Sequence, residues 1–179
     1  LSTSWSGDIS GTGGLIKTGA TVFSLDSVQS YTGLTTVSQG TLQAGVANAI
    51  AASSGLTVNS GAIFNMGMFD QSIGGNVINN GLISFGNIGK ELTINGNLSG
   101  NAMFFMETDV GAGLGDHITV TGTSAGSHLL RIHNTGNTPS PTQILEIVDT
   151  TDGVAPFAAV GGTVDVGLYA YKVMRGDEV

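Results

Sequence analysis

The sequence predicts an all-β fold, a right-handed parallel β-helix of about 20 residues per coil that ends in a cap containing a β-hairpin. Three observations predict it. Glycine returns at a nearly constant interval, short alternating runs of Thr, Val, Ile, Ser and Asn separate these glycines, and glycine supplies 29 of the 179 residues. An α-helical repeat would instead need apolar residues every 3.6 positions and good helix formers. Strands rich in β-branched residues and ended by glycine corners favour a solenoid whose coils pair edge to edge.

The interval comes from one pattern, in which a β-branched apolar residue is followed by two polar residues and a glycine. It occurs in four places: Ile16–Gly19, Val37–Gly40, Val58–Gly61 and Ile78–Gly81. Gly100 and Gly122 continue the series at a similar interval in a weaker form. Three short strands that make one turn use about twenty residues and rise about 4.8 Å, the spacing of paired strands.

Stacking the coils by this pattern predicts which side chains share a column. We expect an inward column made of four β-branched residues: Ile16, Val37, Val58 and Ile78. We also expect Asn59 to lie above Asn79 and to form a short amide ladder. The alanine-rich stretch 44–52 departs from the strand pattern, and we expect it to form one or two helical turns outside the coil.

The last third of the chain differs from the coils. The run Met103–Met106 is bulkier than earlier strands, glycine becomes rarer, and Val164–Val166 and Tyr169–Tyr171 alternate as the two strands of a hairpin would. The bare end of a solenoid exposes unpaired N–H and C=O groups, so a cap is physically required. We therefore expect three parts: β-helix coils over residues 1–100, a cap over 101–175 and the start of a linker over 176–179.

Composition excludes several classes of protein. Only 10% of residues are charged, and 5 Lys and Arg against 13 Asp and Glu give a net charge of −8. This balance leaves no basic patch for nucleic acid. No apolar run approaches the length of about 18 residues that a transmembrane helix needs. The chain has no cysteine, which excludes disulfides, thiolate metal sites and cysteine nucleophiles. It begins with Leu1 rather than methionine, so we expect it to come from a longer polypeptide.

Three motifs have possible chemical meanings that the sequence does not favour. Gly122–Gly126 matches the G-x-S-x-G nucleophile elbow, but a strand rather than a helix follows it. The three histidines, His117, His128 and His133, are possible metal ligands, although the last two lie on opposite faces of one strand. Asp109 and Asp116 with Gly111, Gly113 and Gly115 resemble one degenerate copy of a calcium-binding repeat.

Two further alternatives are a polysaccharide-degrading enzyme and an adhesin. Parallel β-helices also carry polysaccharide-degrading sites, which need clustered carboxylates, but only Asp70 and Glu91 are acidic between residues 27 and 106. The sequence therefore favours a protein that is not an enzyme, without cofactor or metal. Arg175-Gly176-Asp177 is an integrin-type adhesion tripeptide, which also occurs easily by chance.

Several stretches resemble one family of secreted bacterial proteins. Two of them resemble the autotransporter-associated β-strand repeat: Gly14–Gly19 and Tyr31–Leu42. Two resemble the coils that follow this repeat in the same proteins: Ser60–Gly67 and Gln71–Gly74. Three are similar to the pertactin-like autochaperone region: Gly115–Gly122, Asn134–Gly136 and Gly161–Tyr171. Two features depart from the family pattern. The repeat usually has asparagine at the position of Gln29, and the run Met103–Met106 is unusually bulky.

The resemblance implies the C-terminal part of a surface-exposed virulence passenger that a Gram-negative bacterium exports by type V secretion. Its location would be the cell surface, the outer membrane or the medium, after transit through the periplasm. Its partners would be its own upstream coils and a C-terminal β-barrel and, through the whole passenger, host surface or cytoskeletal proteins. The absence of cysteine fits, because a periplasmic disulfide would block threading of an unfolded chain.

The resemblance also implies a role for this region, which is to nucleate passenger folding and to assist translocation across the outer membrane. The residues of the family motifs implied in folding and capping are Asp116, Gly122, Gly136, Asp165, Gly167, Tyr169 and Tyr171. A binding module that contributes directly to adhesion or to recruitment of a host partner is the alternative.

Overall fold

The computed structural model describes residues 2–101, 103–136, 139, 140 and 142–174. These residues form twenty β-strands and one 3₁₀ helix, η1, over Val110–Ala112, and they contain no α-helix. The first ten strands are β1 Ser2–Trp5, β2 Leu15–Lys17, β3 Val22–Leu25, β4 Thr35–Val37, β5 Thr41–Ala44, β6 Gly55–Val58, β7 Ile63–Asn65, β8 Gln71–Ile73, β9 Asn76–Asn79 and β10 Leu82–Ser84. The others are β11 Glu91–Ile94, β12 Leu98–Ser99, β13 Met103–Asp109, β14 Leu114–Gly115, β15 His117–Val120, β16 His128–Asn134, β17 Val148–Thr150, β18 Phe157–Ala159, β19 Val164–Val166 and β20 Tyr169–Tyr171.

The strands of the coils stack in parallel into three sheets. The five-stranded sheet runs β2-β4-β6-β9-β12, and the four-stranded sheet, which begins only at β8, runs β8-β11-β15-β17. The nine-stranded sheet follows the path β1-β3-β5-β7-β10-β13-β16-β18, and its ninth strand, β14, pairs antiparallel with β13. Partners in the five-stranded sheet recur at a constant interval along the chain, from Thr35 to Leu56, Val77 and Leu98. The predicted parallel β-helix, with one coil for each recurrence of the glycine pattern, is confirmed.

The interior is a set of apolar columns, one rung per coil. The nine-stranded sheet supplies a column that is fully buried, made of Leu42, Phe64, Ile83, Phe104 and Leu130. Side chains alternate along each strand, so the residues on either side of these point outward. Each coil alone has too little interior to exclude water, and stacking merges the coils into one core.

The inward column predicted for the five-stranded sheet is wrong at two of its four positions. Val37 and Val58 are fully buried, but Ile16 and Ile78 are 66% and 42% exposed. The register pairs Val37 with Lys17 on one side and Val58 with Asn79 on the other. Lys17 and Asn79 stand two positions before their glycines rather than three, because these corners are one residue shorter. A shift of one residue moves a strand's side chains to the opposite face.

The predicted ladder between Asn59 and Asn79 is also wrong, because Asn79 lies opposite Val58 and inside the core. Its amide is bonded there, accepting from Gly81 N at 3.2 Å and donating to Met103 O at 3.3 Å. Asparagines at the corners instead bond to the backbone of the next coil. Asn76 Oδ1 accepts from Asn97 N at 2.9 Å, for example.

The alanine-rich stretch 44–52 forms turns within the coil, not helical turns outside it. Ala49 and Ile50 are buried in the core. The stretch is bonded to the coils on both sides, since Gln29 N donates to Ala49 O at 2.9 Å and Asn48 N donates to Asp70 O at 3.1 Å. Small side chains suit this position because the turn lies against both neighbouring coils.

The register makes a testable distinction between two side chains of the five-stranded sheet. Replacing the buried Leu56 by Ala should lower the free energy of unfolding by about 2–5 kcal/mol, because it leaves a cavity in the core. The change Ile78→Ala on the outward face should cost less than about 1 kcal/mol. Urea denaturation of both variants measures the difference. Equal losses would contradict the register.

Candidate folding site at the capped end

The last coils carry the longest strands of the molecule. β13 and β16 have seven residues each, and they pair in parallel over six positions, from Met103 opposite Leu129 to Thr108 opposite Asn134. β18 then pairs with β16. Parallel pairing thus continues beyond residue 100, and the division of the chain at that residue stays a prediction about folding units.

Asp116, predicted as a cap residue, is a fully buried carboxylate at the corner between β14 and β15. Its Oδ1 accepts from Lys90 N at 2.9 Å, and its Oδ2 accepts from Glu107 N at 2.7 Å. Its own N–H donates to Glu107 O at 2.9 Å. One side chain therefore joins the segment before β11, strand β13 and the start of β15.

The pKa of Asp116 is raised to about 6, mainly by burial and also by the nearby Glu107 carboxylate, while hydrogen bonds from the backbone of Glu107, Lys90 and Gly89 act in the opposite direction. A pKa that is higher in the folded than in the unfolded protein means that protonation favours folding. This contribution to stability is fully present below the ordinary aspartate pKa of 3.8 and is lost as the pH rises through about 6.

The predicted cap glycines Gly122 and Gly136 stand where the backbone passes close to another coil. Gly122 N donates to Gly96 O at 3.1 Å, and a Cβ at Gly122 would overlap the Asn97 amide. A Cβ at Gly136 would overlap the carboxylate of Asp109. Both positions therefore accept only glycine without local rearrangement.

The elbow motif at Gly122–Gly126 forms a structural corner rather than a strand-to-helix turn. Ser124 is 3% exposed, and the chain continues from it into strand β16. Its Oγ donates to Asp152 Oδ1 at 2.5 Å and accepts from Ala155 N at 3.1 Å, while its N–H donates to Asp152 Oδ2 at 2.7 Å. These bonds lower the pKa of Asp152. Sequence reasoning missed Asp152, because its separation from Ser124 along the chain is longer than the interval that identifies the coils.

His128 joins an aromatic cluster that closes the core beneath β18. It is 1% exposed. Its ring lies 5.8 Å from that of Phe104 and 4.9 Å from that of Phe157. Burial lowers the pKa of His128, so the neutral imidazole is favoured. The exposed His133 lies on the opposite face of β16, near Glu107, as the sequence predicts.

The predicted C-terminal hairpin is present. β19 and β20 pair antiparallel, with Asp165 opposite Ala170 and Val166 opposite Tyr169. Gly167 adopts the positive φ of 61° that the two-residue turn requires. Tyr171 Oη donates to Ser140 O at 2.8 Å, and β19 contacts β16. The hairpin thus packs against strand β16 of the nine-stranded sheet.

The other sequence candidates do not form a site. Asp109 caps η1, its Oδ1 accepting from Ala112 N at 2.9 Å. Across the described ranges, no three His, Cys, Asp or Glu side chains are grouped so that they could hold a metal ion. The tripeptide Arg175-Gly176-Asp177 lies outside the described residues. No helix in the described part of the chain is long and apolar enough to span a membrane.

Together these features define a capped β-solenoid, whose coils end on long strands, a buried corner carboxylate and an antiparallel hairpin. The chain belongs to the pertactin family, since the family model described as pertactin matches residues 75–178, more than half of the chain. It is a pertactin-like autotransporter passenger of the type V secretion class. Such proteins lie at the bacterial cell surface or outer membrane or are secreted.

Curated relatives agree with this assignment. The chain is 29% identical over 195 residues to an autotransporter adhesin/invasin, TibA, of Escherichia coli O78:H11, covering 97% of this chain and 19% of the relative. It is 42% identical over 86 residues to the probable autotransporter YcgV of Escherichia coli K12, covering 44% and 9%. It is 32% identical over 79 residues to the pertactin autotransporter of Bordetella bronchiseptica, covering 42% and 9%. The chain thus spans less than a fifth of the length of these relatives, whose names describe autotransporters, one of them an adhesin/invasin.

The buried carboxylate predicts an unusual pH dependence. The free energy of unfolding of the unaltered protein, relative to that of Asp116→Asn, should fall by about 1–2 kcal/mol between pH 5 and pH 8. The reason is that only the unaltered protein must bury an ionised carboxylate at the higher pH. Urea titrations at several pH values measure this difference. A constant offset between the two proteins would contradict the raised pKa.

Proposed function

We propose that the capped end, residues 101–175, is an intramolecular folding template for the coils that precede it. The difference between the two ends of the solenoid carries this proposal. Among the described residues β1 pairs only with β3, and all four of its residues are exposed. At the other end of the same described part of the chain, β17 and β18 also pair on one side only, but the hairpin β19–β20 packs against β16 there. A covered end opposite an edge that is open to pairing favours growth in one direction.

Solenoid energetics support this direction of growth. The stability of a repeat protein is approximately the sum of its units and their interfaces, while the first unit is unfavourable by itself. At about 0.1 kcal/mol per residue, a coil of about twenty residues contributes roughly 2 kcal/mol. That contribution biases each added coil about thirtyfold against sliding back. Folding outside the cell would therefore draw the passenger outward without nucleotide hydrolysis.

The capped end has the features that a nucleus needs. Its strands β13 and β16 have the longest pairing in the structure, and the Phe104–His128–Phe157 cluster closes its core. Asp116 and Asp152 each bond to backbone N–H groups of an earlier coil. The partners in this role are the chain's own upstream coils and the outer-membrane barrel of the parent autotransporter. The role needs no catalysis, and we propose that the region is not an enzyme.

A second candidate function is direct adhesion. One relative that aligns with 97% of this chain is described as an adhesin/invasin. We propose that host-surface or cytoskeletal proteins are the partners of the whole passenger. The contribution of this region to their binding is the alternative to the template role.

The template role predicts a defect in display. In the longer autotransporter that carries this chain, Tyr169→Ala combined with Tyr171→Ala should lower the amount of passenger at the cell surface severalfold. Both rings are half-buried in the hairpin, and the Tyr171 hydroxyl bonds to Ser140 O. Protease shaving of intact cells measures surface passenger. Leu168→Ala in the same hairpin is the control, because Leu168 is 92% exposed. Normal display of the double variant would remove the support for the template role.

A further inference from the structure

The corners of the solenoid contain a directional set of hydrogen bonds. In each of them, an Asp or Asn side chain of one coil accepts from a backbone N–H of a neighbouring coil. Between residues 8 and 101 the acceptor always lies on the earlier coil. These acceptors are Asp8, Asn48, Asp70, Asn76, Asn80, Asn97 and Asn101.

The direction reverses at the capped end. Asp116 accepts from Lys90 N, Asn134 from Val110 N and Asp152 from Ser124 N, so that each acceptor now lies on the later coil. Buried Gln29 and Gln71 also bond to an earlier coil. They do so with longer side chains, and Gln71 lies at the start of strand β8. In this set of bonds between coils, every Asp or Asn acceptor up to Asn101 therefore bonds to a later coil, and every one from Asp116 onward bonds to an earlier coil.

Two of these contacts have the same chemistry with opposite directions. Near the N-terminal end, Asp8 Oδ1 accepts from Ser30 N at 2.8 Å, and its Oδ2 accepts from Ser30 Oγ at 2.6 Å. Near the capped end, Asp152 Oδ2 accepts from Ser124 N at 2.7 Å, and its Oδ1 accepts from Ser124 Oγ at 2.5 Å. We call each pair an Asp–Ser clasp.

The clasp at Asp152 terminates an interior column. Leu56, Val77 and Leu98 are the fully buried rungs of that column, and Ser124 is the next rung, paired with Leu98. A hydroxyl buried at this place needs partners, and Asp152 and Ala155 N provide them. A slip of one residue would present Thr123 or Ala125 to Asp152 and turn Ser124 outward. Only the native register therefore makes all three bonds.

We propose that Asp152 is the positioning residue that fixes the register between the last two coils of the cap, where the coil with Ser124 docks on the segment with Asp152. This inference rests on the proposed template role, because it requires the later coil to form first. In that order, Asp152 is already in place when Ser124 arrives. Within these 179 residues, Asp8 belongs to the coil furthest from the cap, so its clasp forms after that of Asp152.

Folding kinetics of the full 179-residue chain test the inference. Asp152→Ala should slow folding about tenfold and change the unfolding rate less than twofold, since its bonds form before the rate-limiting step. The matched variant Asp8→Ala should leave the folding rate unchanged and accelerate unfolding about threefold. Stopped-flow folding and unfolding over a range of urea concentrations give both rates.

Two further variants keep the test decisive if Asp152→Ala does not fold. Asp152→Asn retains one oxygen to accept from Ser124 N and should recover most of the folding rate. Ser124→Ala keeps this N–H donor but loses the hydroxyl, and it should slow folding by an intermediate factor. Variants at Asp152 and Ser124 that accelerate unfolding without slowing folding would overturn the inference.

The outcomes separate this inference from the template role. If the Asp152 variants fold at the normal rate while Tyr169→Ala with Tyr171→Ala slows folding, the cap still nucleates and only the role of Asp152 is wrong. If Asp8→Ala slows folding and neither the Asp152 nor the tyrosine variants do, folding starts at the N-terminal end. Both proposals then fail.

Discussion

Parallel backbone pairing between successive coils is the interaction on which the structure depends. A strand of one coil satisfies its N–H and C=O groups on the matching strand of the next coil, and its outer edge stays unsatisfied until another coil arrives. Every other feature follows from this pairing. It aligns the interior columns, it brings corners so close that Gly122 admits no Cβ, and it makes some closure of the last coil necessary.

Pairing alone does not specify register, because a backbone ladder can slip. The apolar columns resist slipping, and the buried polar groups resist it more strongly, since each must find its own partner. Lys17 is 6% exposed, and its ammonium donates to three backbone carbonyls, those of Thr18, Gly19 and Gln39. Asn79, Asp116 and Ser124 are buried and bonded in the same manner. In a slipped register such a group would lose its bonds inside the core, at a cost of about 1–3 kcal/mol each.

The sequence was sufficient for the fold class and for the hairpin, because glycine spacing and strand alternation are local signals. It was not sufficient for the inward column at Ile16 and Ile78. Hydropathy places isoleucine inside, but a corner one residue shorter put Lys17 and Asn79 there instead. The family resemblance alone predicted Asp116 as a cap residue, and Asp152 was not predicted at all. The contacts of both residues reach further along the chain than one ordinary coil, so the interval that identifies the other coils does not find them.

The ionisable groups of the capped end act in opposite directions as the pH changes. Asp116 favours folding when protonated, so its contribution is lost as the pH rises through about 6. Asp152 favours folding when ionised, so its contribution is present above the ordinary pKa of 3.8 and is lost as the pH falls through its lowered pKa. His128 is buried in its neutral form, and its lowered pKa makes the cap less stable as the pH falls below 6.5. Between pH 4 and 6, Asp116 therefore offsets the destabilisation caused by His128 while the Asp152 clasp stays ionised. A cap with this arrangement therefore loses less stability in mild acid than a cap with the buried histidine alone.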